Sequence, residues 1–245
     1  MDLEARGVRF AYRHGWSLGP VDLVVPGGSI TALVGPNGAG KTTLMRILAG
    51  LILPGGGTIQ IGGTPVAGRA ELARKVALTP SEPRFPRGCR VCDLVRLAAP
   101  RPGPAGPDPA SLQRRVSRTI GRSLHVDPRT LSRGQRLNLA IELALAGPRR
   151  AVLLDEPWAG LDPLAVERLF ARLQALAEAG TAVLVSSHDL YALPSLAHRY
   201  VFLVDGRIRA VGSLDDLQGP DASPEAEPAR FLRELYRRLA AGESP

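Results

Sequence analysis

Residues 35–42 carry the pattern that is most closely tied to one chemistry. They fit G-x-x-x-x-G-K-[ST], the phosphate-binding loop, and comprise Gly35, Pro36, Asn37, Gly38, Ala39, Gly40, Lys41 and Thr42, with Thr43 following. Glycines let backbone N–H groups close around phosphates, and the N-terminus of a following helix favours their negative charge. Lys41 is expected to neutralise the β- and γ-phosphates, and Thr42 to offer a hydroxyl to Mg²⁺.

Two carboxylates form a second candidate site. Asp155 and Glu156 directly follow the apolar run 152–154. Solvated acids in a strand-end turn would give the same pattern. Together with a phosphate-binding loop, a catalytic interpretation is favoured: Asp155 would lie beside Mg²⁺, and Glu156 would polarise an attacking water as a general base.

The elements that must position these residues alternate between strands and helices. Apolar alternation and apolar runs predict strands at 8–12, 21–25, 30–34, 58–61, 76–78, 151–154, 182–186 and 201–204. Helices are predicted at 41–49, 111–125, 133–146 and 163–179. Several strands are continuously apolar, which is typical of a parallel sheet covered on both faces. The fold class is therefore α/β.

Further motifs give this chain a family resemblance. Leu131, Ser132, Arg133, Gly134 and Gln135 resemble the LSGGQ signature of ATP-binding cassette (ABC) proteins, about twenty residues before Asp155. Residues 159–162, ending in Asp162, resemble the D-loop, and His188 resembles the switch histidine. Tyr12 resembles the aromatic residue that stacks on adenine. The resemblance is to the nucleotide-binding subunit of an ABC transporter.

The resemblance implies a phosphate-binding-loop NTPase core with a mostly parallel sheet, an N-terminal antiparallel β subdomain and a helical subdomain. It implies ATP and Mg²⁺ as ligands, and two subunits that sandwich two ATPs head to tail. Ser132, Gly134 and Gln135 of one subunit would then meet the ATP on the phosphate-binding loop of the other, and Asp162 would lie near it. His188 would hold the γ-phosphate, although a histidine that is packed in the protein core would give the same sequence pattern.

Two residues depart from the family pattern. Ser81 occupies the position of a glutamine that reaches Mg²⁺ and the attacking water, and it is too short to span that gap unless a water or Glu82 helps. Ser81 is nevertheless included with Thr42 and Asp155 in the predicted metal set. Arg133 replaces the first glycine of the signature, where a cation could strengthen ATP binding or impede closure.

The predicted organisation is an ABC ATPase domain at 1–217 followed by a tail at 218–245. A shortened helical subdomain is expected at about 85–145, interrupted by a Pro-rich loop at 100–110. The tail combines a polar, Pro-rich linker with a helix whose apolar side chains, Phe231, Leu232, Leu235 and Leu239, share one face. We expect this helix to dock on the protein.

Composition narrows the remaining possibilities. The net charge of +8 raises the possibility that the protein binds nucleic acid or an anionic membrane, but the arginines are scattered and aromatic residues make up only 4%.

Cys89 and Cys92 form a C-x-x-C, which could be a redox pair or half a zinc site, yet no second pair exists. Two reduced thiols are the expected state. No apolar run is long enough to span a bilayer, and the N-terminus lacks a secretory signal pattern, so an intracellular protein is expected.

The leading functional hypothesis is the ATPase subunit of a bacterial ABC transporter, an exporter, acting as a homodimer on separate membrane-spanning permease subunits. It would be cytoplasmic and peripheral on the inner face of the cell membrane, with no nucleic-acid partner. One alternative is a soluble ABC ATPase that acts on nucleic acid or ribosomes. Another is a nucleotide sensor that hydrolyses weakly, because Ser81 replaces the usual glutamine.

Overall fold

A computed structural model of the chain describes residues 1–13, 15–99, 109–188, 190–218 and 227–243. Its strands are β1 (Leu3–Ala11), β2 (Ser17–Val25), β3 (Ile30–Val34), β4 (Gly56–Ile61), β5 (Thr64–Pro65), β6 (Val76–Thr79), β7 (Ala151–Asp155), β8 (Ala182–Ser187), β9 (Arg199–Val204) and β10 (Arg207–Gly212). Its α-helices are α1 (Lys41–Leu48), α2 (Arg69–Lys75), α3 (Val91–Ala98), α4 (Pro109–Ile120), α5 (Arg133–Ala144), α6 (Pro163–Glu178), α7 (Leu214–Gln218) and α8 (Pro228–Ala240).

The strands form two sheets within these residues. A six-stranded sheet has the order β10-β9-β3-β8-β7-β6, in which all neighbours are parallel except β10 and β9. A four-stranded sheet has the order β2-β1-β4-β5 and is antiparallel throughout. The predictions of an α/β core with a mostly parallel sheet and of an N-terminal antiparallel β subdomain are confirmed.

Apolar packing explains why the parallel strands are continuously hydrophobic. One cluster fills the space between the antiparallel sheet, α1 and one face of the parallel sheet. A second cluster covers the opposite face with side chains of α5, α6 and α8. Every residue of β3, β7 and β8 is buried, so these strands are held in register from both sides.

A third apolar cluster joins α3, α4 and α5, the helices of the segment at 85–145. Sequence analysis missed α3, in which the β-branched Val91 and Val95 weaken the helical signal. The carboxylate of Asp93 accepts a hydrogen bond from Arg90 N at 2.9 Å and so helps to cap this helix. The helix predicted at 111–125 is too long, because α4 ends at Ile120 and Gly121 adopts a φ of 60°.

The C-terminal helix α8 packs on the core. Leu232, Leu235 and Leu239 are buried in the same cluster as residues of β9, and Phe231 is partly buried against it. Most of the predicted Pro-rich loop, at 100–108, and the linker at 219–226 lie outside the described residues. No helix among the described residues is long and apolar enough to cross a membrane.

Candidate nucleotide site

The phosphate-binding loop connects β3 to α1 and depends on two close approaches of backbone. A Cβ at Gly35 would lie 2.1 Å from the carbonyl oxygen of Leu203 in β9, so any side chain there would displace the loop. Gly40 has a φ of 105°, and a Cβ on it would lie 2.6 Å from Cη2 of Trp16. The glycines are therefore required by the packing of the loop against β9 and Trp16.

We expect Gly40→Ala to destabilise the folded protein more than Gly38→Ala does. Both glycines have positive φ, but a Cβ at Gly38 meets no atom within 4 Å. The two variants therefore share the backbone strain and differ in the clash with Trp16, which should cost about 1–3 kcal/mol. Urea denaturation without nucleotide measures the difference. Equal free energies of unfolding for the two variants would contradict the close packing of Trp16 on Gly40.

A cavity of about 470 Å³ opens beside this loop. It is lined by Tyr12, Trp16, Pro36, Asn37, Gly38, Gly40, Lys41, Thr42, Thr43, Ser81, Asp155 and Glu156. The cavity thus brings together residues from four separate parts of the chain, and its size suits a nucleotide-sized ligand. Glu82, which could have compensated for the short side chain of Ser81, lines a different cavity.

Lys41 is the cation of this cavity. Its Nζ donates to Gly35 O at 2.6 Å and to Pro36 O at 3.1 Å, and the residue is 7% exposed. Burial lowers the pKa of Lys41 below its ordinary value of 10.5, and the charges of Glu156 and Asp155 partly offset that effect. The nearby carboxylates and the phosphates of a ligand both favour the protonated ammonium.

The lowered pKa of Lys41 predicts a pH dependence of nucleotide affinity. Phosphate charge favours the ammonium form, so affinity is fully present below the pKa of free Lys41 and falls as the pH rises through it, starting below 10.5. Calorimetric titration with ATP above about pH 8, where the phosphates no longer titrate, should show proton uptake on binding. Lys75→Met, which changes the only other lysine, should keep this behaviour. A pH-independent affinity in the wild type over that range would contradict it.

Asp155 anchors the far side of the cavity. Its Oδ2 accepts a hydrogen bond from Thr42 Oγ1 at 2.7 Å, and its Oδ1 accepts one from Ser186 Oγ at 2.5 Å. Asp155 and Ser186 pair across the neighbouring strands β7 and β8. A hydroxyl and a carboxylate oxygen this close suit Mg²⁺, whose adjacent octahedral ligands lie about 2.9 Å apart for bonds of about 2.05 Å. Thr42 and Asp155 therefore fit this ion.

Glu156 follows Asp155 in an unusual conformation. Its φ is 50°, in the left-handed region, and its N–H donates to both Ser186 O (3.2 Å) and Ser186 Oγ (3.0 Å). Its Oε2 lies 2.9 Å from Nδ1 of His188, which is itself exposed. The turn therefore directs a carboxylate into the cavity and places an imidazole against it. Through this contact, His188 can orient the carboxylate of Glu156. That role is not among the roles predicted for His188 from the sequence.

Tyr12 and Trp16 form an aromatic wall of the cavity. Their ring centroids lie 5.9 Å apart, and the hydroxyl of Tyr12 lies 3.2 Å from Thr43 Oγ1. Tyr12 is 41% exposed, which leaves its ring available to a planar base. Sequence analysis missed Trp16 and also Ser186. The nearness of Trp16 to Tyr12 was a usable signal, whereas the role of Ser186 depends on strand pairing.

The remaining predicted site residues do not line this cavity. Ala39 is a buried part of the loop, but Ser132, Gly134, Gln135 and Asp162 do not line the cavity of Lys41. Ser132 caps α5: its Oγ accepts from Gln135 N at 3.2 Å, and Gln135 Oε1 accepts from Ser132 N at 2.9 Å. Gln135 also donates to Ile120 O of α4 at 2.7 Å, so its amide is used within the chain.

Gly134 and Asp162 share one neighbourhood. A Cβ at Gly134 would lie 3.0 Å from the carbonyl oxygen of Gly160, which fits the close packing of the signature on the D-loop. Asp162 caps α6 by accepting from Ala165 N at 2.9 Å. Cys89 and Cys92 are free thiols, and no group of three His, Cys, Asp or Glu side chains that could hold a metal occurs in the described ranges.

Comparisons with known proteins place the sequence and the fold in one family. The sequence model of the family described as ABC transporter matches residues 18–159. A putative ABC transporter ATP-binding protein of Streptomyces avermitilis is 41% identical over 223 residues, which cover 90% of this chain and 38% of that protein. The chain therefore spans less than half the length of that relative.

Two further matches extend over most of both chains. A second putative ABC transporter ATP-binding protein of Streptomyces avermitilis is 36% identical over 234 residues, covering 89% of this chain and 85% of that protein. A solved structure of the ATP binding subunit of an ABC transporter superimposes with a TM-score of 0.83 at 30% identity. It covers 96% of this chain and 99% of the solved chain.

Proposed function

This chain belongs to the ABC transporter family of ATP-binding, ATP-hydrolysing cassettes, and from that premise we propose that it hydrolyses ATP to drive a separate membrane-spanning partner. The observation that carries the proposal is the single cavity in which Lys41, the Thr42–Asp155 pair and Glu156 converge. These groups match the needs of phosphoryl transfer to water: a cation on the phosphates, oxygen ligands for Mg²⁺ and a base. The same geometry favours hydrolysis over a nucleotide sensor.

The proposed role of each residue follows from its position in the nucleotide cavity. Lys41 and the N–H groups of the loop bind the β- and γ-phosphates, and the ring of Tyr12 stacks on the base. Thr42 and Asp155 hold Mg²⁺, with Ser81 at the edge of the same cavity. When bound, Mg²⁺ supplies positive charge that neutralises the phosphate oxygens.

Glu156 removes the proton from the attacking water. The water oxygen bonds to the γ-phosphorus while the bond from that phosphorus to the β–γ bridging oxygen breaks, leaving ADP and phosphate. His188 keeps the carboxylate of Glu156 directed at the water through the 2.9 Å contact, and its exposed ring is free to meet the γ-phosphate.

A second copy of the chain completes the site in this proposal. Ser132, Gly134 and Asp162 lie away from the cavity of Lys41, and their position suits contact with nucleotide held by the second copy. Ser132 Oγ accepts from Gln135 N and retains its own hydrogen for a phosphate oxygen. The N-terminus of α5 adds a favourable dipole. Gln135 supports this surface by capping α5.

Residues 1–217 form the cassette in this proposal, with a helical subdomain at about 85–145 that faces the membrane partner. The tail at 218–245 fastens to the core through α8. We place the protein in the cytoplasm on the inner face of the cell membrane. Export is the proposed direction, and it rests on the resemblance of the compact chain and of its Asn37–Thr43 loop to bacterial exporters.

Copurification tests whether the chain associates with a membrane-spanning partner. The tagged chain is isolated from detergent-solubilised native membranes, and co-eluting chains are identified by mass spectrometry. A multi-spanning protein present at near-equal amount supports the proposal. Absence of the chain from membranes, together with ribosomal or nucleic-acid partners, would overturn it in favour of a soluble ABC ATPase.

A further inference from the structure

The connection from β8 to β9 begins with His188, whose Nδ1 lies 2.9 Å from Oε2 of Glu156. We call residues 188 and 190–198 of this connection the switch segment. Its far end is fixed to β3, because His198 N donates to Ile30 O at 2.8 Å and Ile30 N donates to His198 Nδ1 at 3.0 Å. These bonds lie at the opposite end of the segment from His188, so they do not by themselves fix its imidazole.

The middle of the switch segment packs on the C-terminal helix α8. Three leucines of the segment are buried in the same apolar cluster as two leucines of α8: Leu190, Leu193 and Leu196 from the segment, and Leu232 and Leu235 from the helix. The helix lies against the 3₁₀ turn Leu193–Ser195 and against β9. The segment that begins with His188 therefore depends for its packing on a helix of the tail, which follows the cassette in the chain.

A cation–π contact joins α8 to the switch segment close to His188. The guanidinium carbon of Arg233 lies 4.3 Å from the centroid of the Tyr191 ring, well within the range of this interaction. Nε of Arg233 is buried and has no hydrogen-bond partner among the described residues. Tyr191 is 60% exposed, so the core does little to hold its ring. The stacked pair therefore helps to order both side chains, three residues after His188.

The imidazole of His188 needs support from its backbone. Its side chain is 70% exposed, so few neighbouring atoms restrict its rotation and its displacement. Keeping it against Glu156 costs conformational entropy, and that cost falls when the backbone on both sides is already ordered. On one side the backbone belongs to β8. On the other side it is held by the leucines packed on α8 and by the stacking of Tyr191 on Arg233.

We propose that α8 positions His188 for hydrolysis, and that Tyr191 and Arg233 are positioning residues that act through it. The role of His188 rests on the proposed function, whereas the attachment of the switch segment to α8 rests on the contacts above. When the attachment is loosened, His188 spends less time against Glu156, and the base is directed at the water less often. No described residue of the switch segment lines the nucleotide cavity, so ATP binding is largely unaffected.

Steady-state ATP hydrolysis by the whole chain tests this inference. Arg233→Gln and Tyr191→Leu should each lower kcat by about two- to fivefold, the range in which one exposed cation–π contact changes an equilibrium, while KM for ATP stays within about twofold. Tyr191→Phe keeps the ring and should keep the wild-type kcat. Arg230→Gln, the same change at an exposed position of α8, is the control and should also match the wild type. Equal losses in Tyr191→Phe and Tyr191→Leu, or in Arg230→Gln and Arg233→Gln, would overturn the inference.

A double-variant cycle with His188→Ala separates positioning from a general loss of stability. If α8 acts through His188, Arg233→Gln should lower kcat in the wild type and have no further effect in His188→Ala. The same fold-loss in both backgrounds would overturn the inference. If His188→Ala itself hydrolyses ATP at the wild-type rate, the proposed role of His188 fails, and with it the route by which α8 acts. If His188→Ala lowers kcat but Arg233→Gln does not, this inference alone fails.

Discussion

The Glu156→Gln variant is expected to lose ATP hydrolysis while it still binds ATP. Glutamine keeps the size of the side chain but cannot accept the proton of the attacking water, so the turnover rate should fall by about 10²–10⁴-fold. Lys41, Thr42 and Asp155 are unchanged, and the dissociation constant for ATP should stay within about twofold of the wild type. Phosphate release and equilibrium nucleotide binding, measured on the same preparation, check both parts.

The matched control is Glu178→Gln, the same chemical change at an exposed position at the end of α6. It should hydrolyse ATP at the wild-type rate. A Glu156→Gln variant that retained the basal rate would show that Glu156 is not the base. The position of its carboxylate in the cavity, against His188, would then need another explanation.

Lys41→Ala is expected to remove nucleotide binding itself. The buried ammonium is the cation among the residues that line the nucleotide cavity, and its loss should weaken ATP binding by about 100-fold, the scale of a charge-assisted hydrogen bond to phosphate. Fluorescence of Trp16, which lines the cavity, or calorimetry can follow the titration.

Lys75→Ala is the control for Lys41→Ala, because Lys75 is the only other lysine and pairs with Glu71 on α2, away from the cavity. Its ATP affinity should match the wild type. Circular dichroism spectra of both variants should match the wild type too. ATP binding by folded Lys41→Ala within about fivefold of the wild type would contradict the assignment of this cavity to the phosphates.

The parts of the site that could be predicted from the sequence are those whose residues are consecutive in the chain. The phosphate-binding loop and the Asp155–Glu156 pair each occupy one strand end, so local pattern and chemistry are enough to identify them. Ser186 lies 31 residues after Asp155 and reaches it only because β7 and β8 are neighbours in the sheet. No local pattern contains that information.

The helical segment at 85–145 also depends on contacts between residues that are far apart in the sequence. Arginine side chains from 82–87 and from 129–136 line one cavity, and they meet because α3, α4 and α5 pack around one apolar cluster. In the sequence these arginines are scattered among many others, so the sequence alone predicts only ordinary surface charge. Helix α3 was missed because its signal is short and β-branched, and the end of α4 depended on the conformation of Gly121.

In the proposed dimer, Ser132 of a second chain completes the site of Lys41 in the first chain. Ser132→Asp tests this sharply, since aspartate retains the N-cap of α5 but places a negative charge where phosphate would lie. Ser132→Asn keeps the cap without the charge and serves as its matched control. Lys41→Ala chains retain an intact Ser132, and Ser132→Asp chains retain an intact Lys41.

The decisive measurement is the ATPase rate of Lys41→Ala chains mixed with Ser132→Asp chains. Each variant alone should be nearly inactive, and Ser132→Asn should hydrolyse ATP well above Ser132→Asp. Mixing should restore activity, because a mixed dimer combines the intact Lys41 of one chain with the intact Ser132 of the other. A mixture no more active than the average of its two components would contradict a site shared between two copies.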